Sequence, residues 1–416
     1  MNINTKLNKN ILYLTLVQGS IYILPLVTFP YLVRILGVEN FGILAFCLAT
    51  IQYLVLITDY GFNLTASQKI AKIGNNKILV SKTFWSVTNA KFLLAILSLL
   101  LLVIIIMEIK IYQDKCNILI ALSPLFLGNV IYPIWLFQGK EDMKWITFCS
   151  VISRLIVIPL TFFFVKNKND IVIAALIQSS PNFIAGIISL SIIYKYKWVG
   201  KIELNLSEVQ KRLKESWHVF LSTSAISLYT TSIIIILGFI SGPIAVGYFN
   251  AANTIRNAAQ GLLNPIAQAI YPRINNLITE NYEEALSLLK KSLRYFCGLA
   301  LLGSILLYIL APYLIKYGLG SEYSESINVL RWLAFVPFIV SLSNIFGIQT
   351  MLSHNYKKQF SNILMICGAI SILLAFPMIY IFNKDGSAIS ILISESLVTL
   401  SMYIFLRKKN INLFKK

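Results

Sequence analysis

The chain has 416 residues, of which 57% are hydrophobic and only 13% charged, with a mean hydropathy of +0.73. That is more apolar surface than a water-soluble core can bury, so the solvent of this protein is lipid. Its formal charge of +19 comes from 36 Lys and Arg set mostly in short clusters between apolar runs, a pattern of membrane topology that speaks against a nucleic-acid partner.

Roughly 20 residues at 1.5 Å each cross a hydrocarbon core of ~30 Å. The first apolar run, 11–33, follows Lys6 and Lys9 as a secretory signal would. It exceeds a signal's apolar region and lacks a small-x-small cleavage site, so it is read as a retained first span. By the same length criterion spans follow at 41–61, 83–107, 117–137, 145–165 and 171–194, then at 216–239, 245–270, 292–315, 329–352, 360–382 and 388–406. The expected fold is an all-α membrane protein of about twelve transmembrane helices in two six-helix bundles, residues 1–200 and 201–416, joined by a basic amphipathic connector at 195–214.

If the N-terminus is cytoplasmic, most Lys and Arg fall on the cytoplasmic side, including Lys69, Lys72, Lys77, Lys82, Lys211, Arg212, Lys290, Lys291, Arg294 and Arg407. The opposite side holds only Arg34, Lys110, Lys115, Lys166, Lys168, Lys316 and Lys384. This asymmetry predicts that both termini are cytoplasmic. The halves also resemble each other: Arg34-Ile-Leu-Gly-Val-Glu-Asn-Phe-Gly42 joins the first two spans, and Ile236-Leu-Gly-Phe-Ile-Ser-Gly-Pro-Ile-Ala-Val-Gly247 joins the seventh and eighth. Aligning the two Ile-Leu-Gly sequences predicts a parallel repeat related by a pseudo-twofold axis along the membrane normal, with a substrate path between the halves.

Functional groups in such a chain announce themselves as polar residues at mid-span, where a charge costs at least ~2.5 to 3.5 kcal/mol unless a partner or water answers it. Lys91, Arg154, Arg256 and Arg331 lie within or at the ends of spans. Arg154 shares a face with Thr147 and Ser150, and it either lines a cavity or pairs with a carboxylate or helix-end carbonyls. In the eighth span Asn250, Asn253, Thr254, Asn257, Gln260, Asn264 and Gln268 form one stripe with Arg256 at its edge. A stripe of this kind cannot face lipid, so it lines water or holds the bundle together through hydrogen bonds. Lys91 either lines the cavity or snorkels to the interface. Glu395, amid Ser390, Ser394, Ser396 and Thr399, either neutralises an Arg or carries a proton or Na⁺. Asp59, near the inner end of the second span, is a helix cap, a partner of Lys69 or Lys72, or a second coupling site.

The five cysteines, Cys47, Cys116, Cys149, Cys297 and Cys367, are widely spaced without CxxC or Cys/His pairing, and His218 and His354 have no partner at ligand spacing. Neither metal nor cofactor is expected. There is no Walker A sequence and no DxD cluster, and the expected outer loops are too short for membrane glycan chemistry, which favours transport over a polymerase or ligase.

Several segments carry a family resemblance over nearly the whole chain: Arg34-Ile-Leu-Gly-Val-Glu-Asn-Phe-Gly42, Asp59-Tyr-Gly-Phe-Asn-Leu-Thr-Ala-Ser, Tyr132-Pro-Ile-Trp-Leu-Phe-Gln-Gly-Lys-Glu141, Phe220-Leu-Ser-Thr-Ser with Leu228-Tyr-Thr-Thr, and Val246-Gly-Tyr-Phe-Asn-Ala-Ala running to Tyr271-Pro-Arg273. Together and in this order they resemble the Wzx-type polysaccharide-unit flippases, of the superfamily that also holds the MATE drug exporters and lipid II flippases. The resemblance implies a MATE-like fold in a bacterial cytoplasmic membrane and an undecaprenyl-diphosphate-linked oligosaccharide as substrate. It also implies a cationic cavity and, as partners in the envelope, a polysaccharide polymerase and a chain-length regulator. A MATE-like exporter of cationic drugs is the rival within transport, yet mid-depth acids are represented by Glu395 alone against Arg154 and Arg256.

Overall fold

A computed structural model describes the backbone of residues 3–74, 76–201, 203–411 and 413. Every regular element among the described residues is helical. Nine helical stretches among them are long and apolar enough to cross a bilayer. Three contain helices too long for a single crossing: at 1.5 Å per residue the 57-residue helix Ile3–Asp59 runs to about 85 Å, nearly three hydrocarbon thicknesses. Each is interrupted by one residue outside helical conformation, Gly37 (φ 71°, ψ 175°) in Ile3–Asp59, Gly242 (φ 79°, ψ −179°) in Leu206–Gly261, and Asn383 (φ 50°, ψ −126°) in Lys357–Lys408. Each of these helices is therefore two spans, and twelve spans result among the described residues.

The turn in the seventh-to-eighth span connection corrects the alignment drawn from sequence. Gly37 breaks its helix as expected, but the matching break falls at Gly242, while Gly238 is helical. Pro243 explains the choice: its fixed φ and missing N–H suit the first turn of a returning helix, so the positive φ falls on the glycine just before it. The repeat that the backbone supports runs from Gly37 to Gly42 and from Gly242 to Gly247, at equal intervals. The fourth span, expected over 117–137 with interruptions at Gly128 and Pro133, breaks at Pro133 but runs through Gly128 and breaks instead at Pro124. It is built from Cys116–Leu122, Pro124–Ile131 and Ile134–Gly139, because Pro124 and Pro133 each lack the N–H that would carry the ladder through.

The chain separates into two compact units, Met1–Ser224 and Ala225–Lys416. In the first, Phe62, Ile70, Phe84, Val87, Trp135, Leu136 and Cys149 form the buried apolar core. Helices Pro124–Ile131 and Ile171–Lys195 approach so closely at Gly128 that a Cβ there would lie 2.7 Å from the Phe183 amide nitrogen. Only the absence of a side chain permits that contact.

The connector folds onto this unit. Ser81 Oγ accepts from Gly200 N at 2.7 Å, Trp85 Nε1 donates to Gly200 O at 3.2 Å, and Asn89 Nδ2 donates to Glu203 O at 3.0 Å. Towards its end, buried Arg212 reaches Glu208 at 2.8 Å and Glu215 at 2.6 Å, and these carboxylates in turn meet Lys82 at 3.3 Å and Lys69 at 3.7 Å. Tyr60 stacks on Phe220 with ring centroids 4.6 Å apart. Gly61, at φ 73°, leaves room for Val219, whose Cγ1 would stand 2.7 Å from an added Cβ. Asp59, which the sequence offered to Lys69 or Lys72, thus loses Lys69 to Glu215.

In the second unit Ile274, Leu289, Phe296, Phe346, Met351, Met402 and Leu406 make the core. Ser241 donates to Asn383 Oδ1 at 2.9 Å and Lys384 pairs with Glu325 at 2.8 Å, so the turns at this end are tied together. A π-helical stretch, Asn344–Leu352, carries buried Gln349, whose Nε2 donates to Ala267 O at 2.8 Å.

The Glu208 carboxyl is held below the usual carboxylate range, first by its hydrogen bond from Arg212 and further by Lys82. A depressed carboxyl pKa contributes stability that is present above the unfolded value of about 4.3 and is lost as pH falls through the folded value. The connector should therefore stay docked at neutral pH and loosen only in acid. Arg212→Ala should speed amide exchange over 206–216 at pH 7 while leaving 143–164 unchanged, and unaltered exchange over 206–216 would remove Arg212 from this role.

Candidate functional site

Each unit places charged groups inside its spans, and it answers them differently. In the first unit Lys91 is buried on the third span, with a side chain only 2% exposed. Its ammonium donates to Asp59 Oδ1 at 3.2 Å, to Asn129 Oδ1 at 3.0 Å and to Asn129 O at 3.3 Å. An ammonium has three donors, so all of them are engaged. Asn63 Nδ2 donates to the same Asp59 oxygen at 2.7 Å. Three spans and the helix Phe62–Ile73 meet at this cluster. The backbone prepares it: the second span ends at Asp59, and left-handed Tyr60 and Gly61 turn the chain so that Asn63 faces back. Lys91 therefore neither snorkels nor offers a free amine to a cavity. Asn63 and Asn129 escaped the sequence reading; Asn129, polar within an apolar run, was the signal available for one of them.

Arg154 lies on Met143–Phe164, half-buried, and its Nη1 donates to the Ser150 carbonyl at 3.1 Å on its own helix. No carboxylate pairs with it among the described residues. Tyr132, at the break in the fourth span, donates to Ile146 O at 3.2 Å and lies 2.8 Å from Ser150 Oγ, so this face of the fifth span is braced where Arg154 emerges. Thr147, on the same face, donates to Tyr13 O at 3.0 Å.

In the second unit the expected stripe forms on one face of the eighth span. Arg256 Nη1 donates to Gln260 Oε1 at 2.8 Å, and Nη2 donates to Asn253 Oδ1. The amides one turn before and after the arginine thus hold its guanidinium in a fixed attitude. Asn253 is buried, Asn250 and Gln260 are half-buried and Asn257 is exposed. Thr254 turns inward to its own helix, donating to Asn250 O at 2.8 Å. The stripe bends after Gln260, because the helix stops at Gly261 and resumes at Asn264 with Pro265 in its first turn. The Gln268 side chain lies outside the described residues. Glu395, on Lys357–Lys408, lies within Coulombic reach of Arg256. Ser390, Ser394, Ser396 and Thr399 spend their hydroxyls on carbonyls of their own helix or, for Thr399, also on Ile339 O, and so none turns toward the carboxylate.

Breaking one side of a buried ion pair costs about 3 to 5 kcal/mol, because the remaining charge is stranded, whereas removing both sides costs far less. Lys91→Met and Asp59→Asn should each lower the melting temperature of the purified protein. The double variant should melt above Lys91→Asp, which puts two carboxylates together. Additive losses in the double variant would mean that the pair is not coupled.

Comparison with known proteins bears on what these groups serve. Residues 7–278 match the model of a family described as "Polysaccharide biosynthesis protein". The chain is 51% identical over 412 residues to the "Putative O-antigen transporter" of Escherichia coli (strain K12), covering 99% of each chain. A protein of the same name from Shigella dysenteriae is 37% identical over 399 residues, covering 95% of this chain and 99% of its own. Among solved structures, an inward closed lipid II flippase MurJ superposes with a TM-score of 0.75 at 16% identity, over 95% of this chain and 87% of that one. An inward-facing multidrug resistance MATE family transporter gives 0.72 at 14% identity, over 95% and 98%. These two likenesses speak to fold, and the MATE-like all-α architecture is the one expected. Given the share of its length matched by the family model and its identity to these relatives, this multi-pass membrane protein belongs to the polysaccharide biosynthesis protein family, whose two members above are named as transporters.

Proposed function

We propose that this protein moves an undecaprenyl-diphosphate-linked oligosaccharide repeat unit from the cytoplasmic to the outer leaflet, by alternating access, for O-antigen or capsule synthesis. The observation that carries the reading is Arg256, a mid-span guanidinium held by the neutral amides of Asn253 and Gln260 within a stripe of hydrogen-bonding side chains. A diphosphate and sugars cannot cross hydrocarbon without a polar path, whereas the polyprenyl tail is at home in lipid. Arg256 and Arg154 supply cations for the phosphates. Asn250, Asn253, Asn257, Gln260 and Asn264 supply donors and acceptors for sugar hydroxyls. Lys91 joins this set only in a state in which Asp59 releases it. The membrane is the bacterial cytoplasmic one with both termini inside, and the polymerase and chain-length regulator act on the delivered unit.

The relatives named for O-antigen transport support an anionic lipid-linked cargo over a cationic drug. Arg256→Ala and Arg154→Ala should abolish surface glycan at unchanged protein level in the membrane, and Lys at either position should restore part of it, since charge survives without the bidentate fork. Normal glycan in both Ala variants would sink the assignment.

Two sources of drive are consistent with the residues present. Moving negative charge outward across an inside-negative membrane gains ~2.3 kcal/mol per charge per 100 mV, so the potential alone is sufficient. An ion carried by Glu395 or Asp59 is the competitor; Glu395 is the better placed, since Asp59 is engaged with Lys91 while Glu395 feels the arginine that the cargo would neutralise. In vesicles with potential and ion gradients imposed separately, flipping should follow the potential and persist in Glu395→Gln. Loss of flipping in Glu395→Gln, with indifference to the potential, would transfer the drive to the ion.

A further inference from the structure

We propose that the second unit carries a seat for one amine-bearing zwitterionic phospholipid, separate from the transported cargo, in which Arg331 takes the phosphate and Asp385 the ammonium. The site is a cavity of about 570 Å³ whose lining includes Tyr308, Arg331, Trp332, Phe335, Phe382 and Asp385. Two buried polar atoms in it, Arg331 Nε and Asp385 Oδ1, lack any hydrogen-bond partner, and neither side chain forms an ion pair among the described residues. The arginine instead lies over the Tyr308 ring, 5.4 Å from its centroid. Lys384, the nearest cation to Asp385 in sequence, is occupied by Glu325 at 2.8 Å.

A donor-only group and an acceptor-only group of opposite charge therefore line one cavity without pairing with each other. What satisfies both is a molecule with an anion that accepts a forked donor and a cation that donates. The walls specify the rest. On Tyr282–Tyr313, Leu301 and Ile305 share the Tyr308 face and are exposed, and Ile389 and Leu392 stand one and two turns beyond Asp385. This apolar wall suits acyl chains, and the half-exposed Trp332 and Tyr308 are side chains of the kind that populate the bilayer interface. A sugar carries neither full charge and gains nothing from an acyl-lined wall, and a diphosphate is opposed by Asp385. By the Lys and Arg asymmetry, the Lys384 end is the outer one, so the lipid belongs to the outer leaflet.

The test is native mass spectrometry on the purified full chain in detergent, titrated with phosphatidylethanolamine or phosphatidylglycerol. Wild type should retain one phosphatidylethanolamine about tenfold more tightly than phosphatidylglycerol, and Arg331→Ala or Asp385→Asn should each lose about tenfold, the worth of one charge-assisted hydrogen bond. Asp385→Asn should also erase the preference, because phosphatidylglycerol lacks the amine. Melting curves establish that the variants are folded. Equal retention of both lipids by wild type, which needs no variant, would overturn the proposal, as would full phosphatidylethanolamine retention by either folded variant. Because the readout is lipid binding, its failure leaves the reading of Arg256 and Arg154 standing, and theirs leaves this one standing.

Discussion

A full charge within a bilayer span has to be answered, since even the lenient insertion scales put its cost at ~2.5 to 3.5 kcal/mol. The four cations that the sequence places within or at the ends of spans receive four different answers. Lys91 is met by a carboxylate and an asparagine that together use all three of its protons. Arg154 is met by a carbonyl of its own helix, Arg256 by two amides of its own stripe within the field of Glu395, and Arg331 by an aromatic face. The backbone devices around them follow from this need. The break at Tyr132 and Pro133 brings a phenol against Ser150 beside Arg154, and the bend after Gln260 ends the stripe just past Arg256.

These answers differ in how readily they could be exchanged. The Lys91 cluster closes on itself, with opposite charges at 3.2 Å and a second asparagine on the carboxylate. Opening it would strand two charges, which makes it a structural clamp across three spans. In the Arg256 cradle two bonds go to neutral amide oxygens, and a phosphate oxygen is a stronger acceptor for a guanidinium than an amide oxygen. The same logic applies to Arg154, whose Ser150 carbonyl already serves the helix ladder of its own turn.

Span count and the eighth-span stripe were legible because both rest on local rules: a fixed rise per residue against a fixed bilayer thickness, and a period of 3.6. Turn positions were less so. Ile-Leu-Gly matched between the halves, yet Pro243 moved the second break to Gly242, because a proline's demand on its neighbour outweighs a shared tripeptide. The fourth span, expected to be interrupted at Gly128 and Pro133, is three pieces that part at Pro124 and Pro133. Asp59 was set beside Lys69 and Lys72, its neighbours in the chain, but its partner is Lys91, 32 positions away. Such pairings depend on which helices pack together, and no periodicity within one helix carries that information. The connector behaved likewise: its basic character was evident, while the pairs that tie its carboxylate cluster around buried Arg212 to Lys82 and Lys69 depend on the docked geometry.

The distinction between clamp and cradle also bears on why the acids are so few. A carboxylate in direct contact with Arg256 would hold it as Asp59 holds Lys91, and a phosphate would then have to displace a charge of its own sign from a partner of comparable strength. Glu395 lies within Coulombic reach of Arg256, and no salt bridge joins the two among the described residues. Under the proposed function, that arrangement leaves the Asn253 and Gln260 amides as acceptors that an incoming anion outcompetes. On the same reading, a carboxylate bonded directly to Arg256 would compete with the cargo for it, and neutral amide partners suit a carrier that has to bind its anion and also let it go.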